Sequence, residues 1–419
     1  MNYKKGLLAA LLAPVLTLGS GALANVHAAG FAVFTHGASA LGQGNAVTAH
    51  TDNPSTIFYN PALMNKLEGT QVQLGTTAIF SSREFESAAT GATTSNDSVF
   101  FPSTFYATHK FNDSLSAGIG VFNPFGLGTE WDDDWEGQYQ ATESKLTTFN
   151  INPVVSYRII PSLAVAVGLD VVLVDATLER NIFVGGPQIN QKFEGDGQGV
   201  GFNVGVAYDI TKDIHFGASY RSQVQVDVKG DSSTSPTLSI PALGGAFLDS
   251  SGRTSIKLPP QVTAGIAYQV SSPLIVEAGV RWEGWSSFQE LQLTLDNGTP
   301  LAPTPREWHD SFGLNVGGKY RLSDSAAVSA GYVFGNSAVP DSTFDPSIPD
   351  AKTHVFCLGT DFTFQKVNIA LAYAYQLYQD RTKNNDIGAP SPGMPETSGA
   401  NGEYRSDAHL LALSLGYKF

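Results

Sequence analysis

The sequence predicts an all-β fold: a transmembrane antiparallel β-barrel of about fourteen strands, plugged by an N-terminal hatch. Three observations predict it. Stretches of alternating apolar and polar residues run down to an aromatic at Phe111, Tyr157, Tyr208, Tyr268, Tyr320, Phe364 and Tyr417. A short turn cluster such as Asn112-Asp113 or Pro161-Ser162 follows each of the first six, and the chain ends at Phe419 after the seventh. A ring of aromatics at one end of many alternating strands suits the headgroup boundary of a membrane. Finally, no run of about 18 apolar residues exists to make a membrane helix. A closed barrel is the other way to cross lipid with every backbone group paired.

The first element is a secretory signal, residues 1–28. Lys4 and Lys5 form its basic part and Leu7 to Leu18 its apolar part, with small residues before cleavage sites after Ala24 or Ala28. Residues 29–68 follow, with Gly37, Gly42 and Gly44, then Asp52-Asn53-Pro54 and Asn60-Pro61-Ala62, and without a period of two. Phe31, Phe34, Ile57, Phe58 and Leu63 are too apolar for a tail in water. Some forty compact residues are therefore expected inside the lumen.

The barrel proper occupies 69–419. Between turn signals the strands are expected near 70–82, 98–111, 115–127, 145–159, 163–180, 198–210, 214–229, 254–270, 274–292, 306–322, 326–336, 352–364, 367–380 and 403–419. An even count returns both ends to the periplasmic side, with short turns there and long polar loops such as 83–97, 128–144 and 337–351 outside.

Side-chain parity assigns the faces, because successive residues of a strand point to opposite sides. In 367–380, Ile369, Leu371, Tyr373 and Leu377 are expected on lipid and Ala370, Ala372, Ala374 and Gln376 on the lumen. In 214–229, Phe216, Ala218, Tyr220, Val224, Val226 and Val228 are expected on lipid, opposite Ser219, Arg221, Gln223, Gln225 and Asp227. The third strand is irregular. Gly118, Gly120 and Asn123-Pro124 fit either a disturbed wall or a strand that ends at Pro124.

The net charge of −14 argues against a nucleic-acid partner. A single cysteine, Cys357, leaves no disulfide and no cysteine metal site. No Gly-x-Ser-x-Gly or His-Glu-x-x-His pattern is present, and neither an enzyme nor a bound metal or cofactor is expected. Glu277, Arg281 and Glu283, with Arg158, Asp209, Arg221 and Lys319, form an inward charged set expected to hold the hatch.

Ala29-Gly30-Phe31, Leu41-Gly42-Gln43-Gly44, Asn60-Pro61-Ala62, Gly126-Leu127-Gly128-Thr129-Glu130-Trp131, Tyr220-Arg221-Ser222, Trp285-Ser286-Ser287-Phe288 and Phe419 follow one another in an order and spacing that resembles the FadL family. The likeness covers essentially the whole mature chain. It implies a 14-stranded barrel in the bacterial outer membrane, taking up long-chain fatty acids or similar hydrophobic molecules. Ligand would pass an outer groove and an inner pocket, leaving by a hatch rearrangement with lateral escape at the third strand. Some relatives carry toluene-like hydrocarbons, so an aromatic-hydrocarbon channel is the alternative, with a general porin as the rival of another kind. The expected partners are the ligand, outer-membrane lipid and lipopolysaccharide, and the barrel-assembly machinery through Phe419, for a monomer.

A fatty acid needs an apolar slot ending in a cation. On strand 163–180, Val172, Val174 and Leu178 are inward, with Arg180 just above them able to hold a carboxylate bidentately; the resemblance places a pocket arginine here too. His309 is expected inward at a similar height, with Trp308 on lipid. The gating set is Asn60, Pro61 and Ala62, expected to lie against Asn123 and Pro124 of the irregular strand and to supply its missing partners.

Overall fold

The computed structural model of the chain describes residues 30–183, 188–236, 239–240, 246–247, 249–299 and 301–419; the expected signal segment lies outside them. Long alternating strands pair in chain order because each has an apolar face that only lipid accepts. The first six are β1 (Thr70–Ser87), β2 (Thr93–Phe100 and Ser103–Lys110), β3 (Leu115–Phe122 and Gly126–Glu130), β4 (Glu143–Ile160), β5 (Leu163–Ile182) and β6 (Ile189–Asp209). Next come β7 (Ile214–Arg221 and Val224–Ser235), β8 (Ser250–Leu258 and Gln261–Ser271), β9 (Leu274–Glu283) and β10 (Ser311–Ser323). The last are β11 (Ala326–Gly335), β12 (Thr353–Phe364), β13 (Val367–Tyr378) and β14 (Gly402–Lys418). Antiparallel pairing of β1 with β14, from Gln71↔Lys418 to Ser87↔Gly402, closes the sheet on itself. The protein is a closed fourteen-stranded antiparallel barrel.

Six of the seven belt aromatics are exposed, from Tyr417 at 40% to Phe364 at 74%, and Tyr268 is half-buried on the same side as exposed Ile266. Strand β13 has the expected faces, with Leu371 exposed and Ala370, Ala372 and Ala374 buried. Several outer strand ends are longer than hydropathy suggests, whereas β9 stops at Glu283 short of the expected 292. The expected loop 83–97 is mostly β1 and β2 continuing to a turn at 88–92, paired from Ile79↔Phe100 to Glu86↔Thr93. Backbone pairing continues into water, where polar side chains carry no lipid-facing signal.

Two of the expected face assignments fail. On β7, Arg221 faces Asn203 of β6 and Lys229 faces Asp196, so eight residues of one strand span seven of the other. The extra residue is a bulge at Ser222-Gln223, and a one-residue slip exchanges the faces beyond it. Val224, Val226 and Val228 are therefore buried inside, whereas Gln223, Gln225 and Asp227 are exposed. Before β10, Glu307 adopts φ 51° and the strand starts only at Ser311, so alternation does not extend back to Trp308. Trp308 is 1% exposed and His309 lies on the exposed side, the reverse of the expectation.

Residues 30–67 form two short helices, α1 (Ala38–Gly42) and α2 (Thr56–Tyr59), and a 3₁₀ turn, Pro61–Lys66. They bond to inward side chains all round the barrel. Glu277 of β9 accepts from the Thr48 and Ala49 amides at 2.6 and 3.0 Å and contacts His50 Nδ1 at 2.7 Å. Lys319 of β10 meets Asp52 at 2.5 Å and Ser39 at 2.7 Å. Arg158 of β4 donates to the Asn65 carbonyl, and Lys66 pairs with Asp209. The approach is close enough to require glycine on the wall: a Cβ at Gly217 would overlap the Thr48 carbonyl, and one at Gly317 the Gln43 carbonyl.

Candidate functional site

Between these residues and the outer loops lies a cavity of about 470 Å³, within the roughly 300–1,000 Å³ of small-molecule sites. Phe34, Phe58 and Tyr59 line it from the N-terminal segment, and Ile79, Val355 and Leu410 from the strands. Arginines reach it from three strands, Arg83 of β1, Arg221 of β7 and Arg281 of β9. Two of these are engaged by carboxylates: Arg221 with Asp170, and Arg281 with Glu283 at 3.3 Å. Arg221 also lies over the rings of Phe58 and Phe122, at 5.5 and 5.2 Å.

An apolar cluster covers the outer end. Trp131 and Trp135 stack at 4.5 Å in the β3–β4 loop, and Phe85, Phe344 and Tyr404 join them. Asp350, in the β11–β12 loop, lines the cavity beneath. Burial pushes its carboxyl up to about 6, against the pull of hydrogen bonds from Ser337 Oγ and the Ala338 amide.

One side of the cavity reaches the wall. The outer piece of β2 pairs with β1, and the outer piece of β3 pairs with β4. Among the described residues the ladder between β2 and β3 stops at Phe105↔Val121. Pro102 and Pro124 explain the interruption, because neither has an N–H to donate. Strand β3 resumes at Gly126, so Pro124 marks a disturbed wall rather than the start of a loop. The ring of Phe100 covers the break, lying where a Cβ on Gly128 would be.

Several groups freed at the break find partners, though not among the expected residues. Val33 N donates to the Pro124 carbonyl at 3.0 Å, and Gly126 N to the Phe31 carbonyl at 2.8 Å. Asn123 Nδ2 donates to the Thr148 carbonyl, and Asn123 Oδ1 accepts from Ser103 N. Asn60-Pro61-Ala62 instead lies against β6 and β7, where Asn60 Nδ2 donates to Val206 O at 2.9 Å and packs on Gly205 and Gly217. Its side-chain oxygen accepts from Ala62 N, closing a local turn. The neighbouring Ile57 and Met64 do meet β3, but lower, at Gly118 and Gly120.

The remaining sequence candidates sit apart from the cavity. Val172 and Val174 are inward and buried, packed in the outer apolar cluster with Val226 and Val228, and Leu178 packs on its edge. Arg180 is exposed at the outer end of β5, donating to Gln191 at 3.3 Å. His309 is exposed outside the barrel strand. Arg83, Phe100 and Gly128 were not legible as site residues, because the expected strand stopped at residue 82 and its partner's break was unseen.

Fold and cavity together define an outer-membrane barrel whose interior holds a compartment for a largely apolar molecule. The chain belongs to the family described as outer membrane protein transport protein (OMPP1/FadL/TodX), whose model matches residues 21–419. It is 27% identical to a 47 kDa outer membrane protein of Pasteurella multocida, covering 98% of each chain. It is 24% identical to a long-chain fatty acid transport protein of Salmonella typhi, over 83% of this chain and 87% of that one. In fold it resembles the crystal structure of a Pseudomonas aeruginosa FadL homologue, with TM-score 0.82 and 20% identity over 93% of this chain and all of the other. The Ralstonia pickettii toluene transporter TbuX gives TM-score 0.71 at 17% identity, over 91% and 98%.

Proposed function

We propose that this protein takes up long-chain fatty acids or similar hydrophobic molecules across the outer membrane, by diffusion, without catalysis. Residues 29–68 act as the hatch, and the ligand leaves sideways where β2 and β3 part. The observation that carries this reading is the continuity of the apolar cavity with the wall break at Phe100–Ser103 and Gly126–Gly128. A molecule lodged there is closer to lipid than to the periplasm, and its apolar surface favours lipid over water. Contacts with outer-membrane lipid and lipopolysaccharide, and assembly through Phe419, belong to the same proposal.

The alternative substrate is an aromatic hydrocarbon, the cargo named for the Ralstonia relative. The test is binding of oleate and of toluene to the purified barrel, with uptake by cells that lack their own transporter. Saturable binding of either, with matching uptake, is expected. A barrel that binds neither and conducts ions steadily would be a general porin, and the reading would be lost.

A further inference from the structure

We infer that the barrel wall has a second break, between β8 and β9, and that a hydrophobic molecule enters there from the headgroup level of the outer leaflet. The inference rests on the uptake reading above and supplies its intake, six strands away from the parting of β2 and β3. Strand β9 stops at Glu283, level with Gln261 of β8. The outer piece of β8 regains a partner on that side only at Gly252 and Arg253, which pair with Leu295 and Thr294. Between these points Thr254–Leu258 make no backbone hydrogen bond toward β9 among the described residues. At about 3.3 Å per residue the open edge is roughly 16 Å long. Pro259 and Pro260 mark its lower end, as Pro102 and Pro124 mark the other break, because a proline has no N–H for the ladder.

Side chains close this edge instead of a strand. The turn Trp285–Ser287 follows β9, and Trp285, Phe288, Leu291 and Leu293 pack in one apolar cluster with Ile256 and Leu258. The two faces of the break differ. Ser255, Lys257, Ser286, Gln289 and Glu290 are exposed outside it, whereas Ile256, Leu258, Trp285 and Phe288 are buried behind it. The outward apolar residues of β8, Ile266 and Val262, stop just below, so the edge begins where hydrocarbon gives way to headgroups. The rim of the β2–β3 break is apolar by contrast, with Val99 and Phe101 exposed beside it. A hydrophobic molecule moves downhill from headgroups to hydrocarbon. The β8–β9 break therefore takes it in, and the β2–β3 break releases it.

Behind the break a continuous row of rings leads to the cavity. Phe288 lies 5.0 Å from Trp308 and 5.9 Å from Phe31, between ring centroids. Trp285 lies 4.6 Å from Phe31, and Phe31 reaches Phe125 at 6.1 Å. Phe31 and Phe125 line the cavity, and Phe125 adjoins Pro124 at the first break. The row thus joins the two breaks through the compartment between them. A molecule passing along it exchanges one aromatic surface for the next and stays out of water throughout.

The experiment places the purified full-length barrel in lipid vesicles with an oleate that carries a diazirine on its chain, and maps the crosslinks formed on illumination by mass spectrometry. Labelling of residues 254–258 and 285–293 is expected, besides that of the cavity. In parallel, association and dissociation of oleate are timed for the wild type, Ile256→Asp, Phe288→Ala and Phe85→Asp. A charge behind the break should slow both rates several-fold and leave Kd nearly unchanged, because a barrier on the path acts equally in both directions. Phe288→Ala should speed both rates, and it serves if Ile256→Asp does not fold, as judged by the shift in electrophoretic mobility on heating. Labelling confined to the outer loops or to β2 and β3 would overturn the inference, as would slowing in Phe85→Asp with none in Ile256→Asp. If the wild-type barrel binds no hydrophobic probe, the uptake reading itself fails. If it binds oleate and neither variant at the break changes a rate, only the intake assignment fails.

Discussion

The ring of Phe100 rests on Gly128 across the one stretch of wall, among the described residues of β2 and β3, where the two strands are not hydrogen-bonded. A side chain, rather than a backbone ladder, closes the barrel here. Side chains change rotamer in nanoseconds or faster, whereas opening a ladder breaks several bonds together.

The first prediction follows from that contact. Phe100→Ala should speed uptake of labelled oleate several-fold while leaving its affinity for the purified barrel within about a factor of two, since Phe100 lies at the edge of the cavity. Gly128→Val should push the ring aside and act in the same direction. Slower or unchanged uptake in both variants would argue for exit toward the periplasm.

A second prediction concerns seating of the hatch. A Cβ at Gly317 cannot coexist with the Gln43 carbonyl, and valine favours strands. Gly317→Val should therefore fold as a barrel yet fail to hold residues 42–48 in place. Single-channel conductance in planar bilayers should rise clearly above wild type. Wild-type conductance would mean that this contact does not hold the hatch.

Glu277 gives a third. Its carboxylate takes the Thr48 and Ala49 amides and His50 at once, and it is 2% exposed. Glu277→Ala strands buried amides at about 1–3 kcal/mol each. Amide hydrogen exchange at residues 46–50 should accelerate by one to two orders of magnitude, a range set by about 1.4 kcal/mol per decade. Exchange in β9 itself should not change.

The fourth is a pH dependence at Asp350. Its carboxyl titrates at about 6 in the folded protein against an ordinary 3.8. A raised carboxyl favours the folded loop in its protonated form. The contribution is full below about pH 4 and is lost as pH rises through about 6. Two units correspond to roughly 3 kcal/mol at most. Limited proteolysis of the 337–351 loop should be slower at pH 5 than at pH 7.5 in wild type. In Asp350→Asn that difference should largely vanish, and a persistent difference would assign the effect to another group.

Alternation, turn clusters and the aromatic belt were enough to read the closed barrel and the strand order from the residues alone. They are local properties, since lipid on one face imposes a period of two within each strand. The same logic placed Ala370, Ala372 and Ala374 inward, but at Pro124 it left a disturbed wall and a strand end equally open. What it could not carry was anything that depends on counting residues across two strands. The bulge at Ser222-Gln223 puts Val226 inside rather than on lipid, and it exists only as a mismatch between β7 and β6. Trp308 reads as lipid-facing until the late start of β10 is known. Arg83 looks like a loop residue because polar strand ends in water have no hydropathy signature. Its lack of a carboxylate partner is set by side chains on three other strands, with Asp170 on β5 and Glu283 on β9 already taken and Arg405 on β14 holding Glu84 and Glu86. Local periodicity determines which way a strand faces, and only closure of the barrel decides which charges meet.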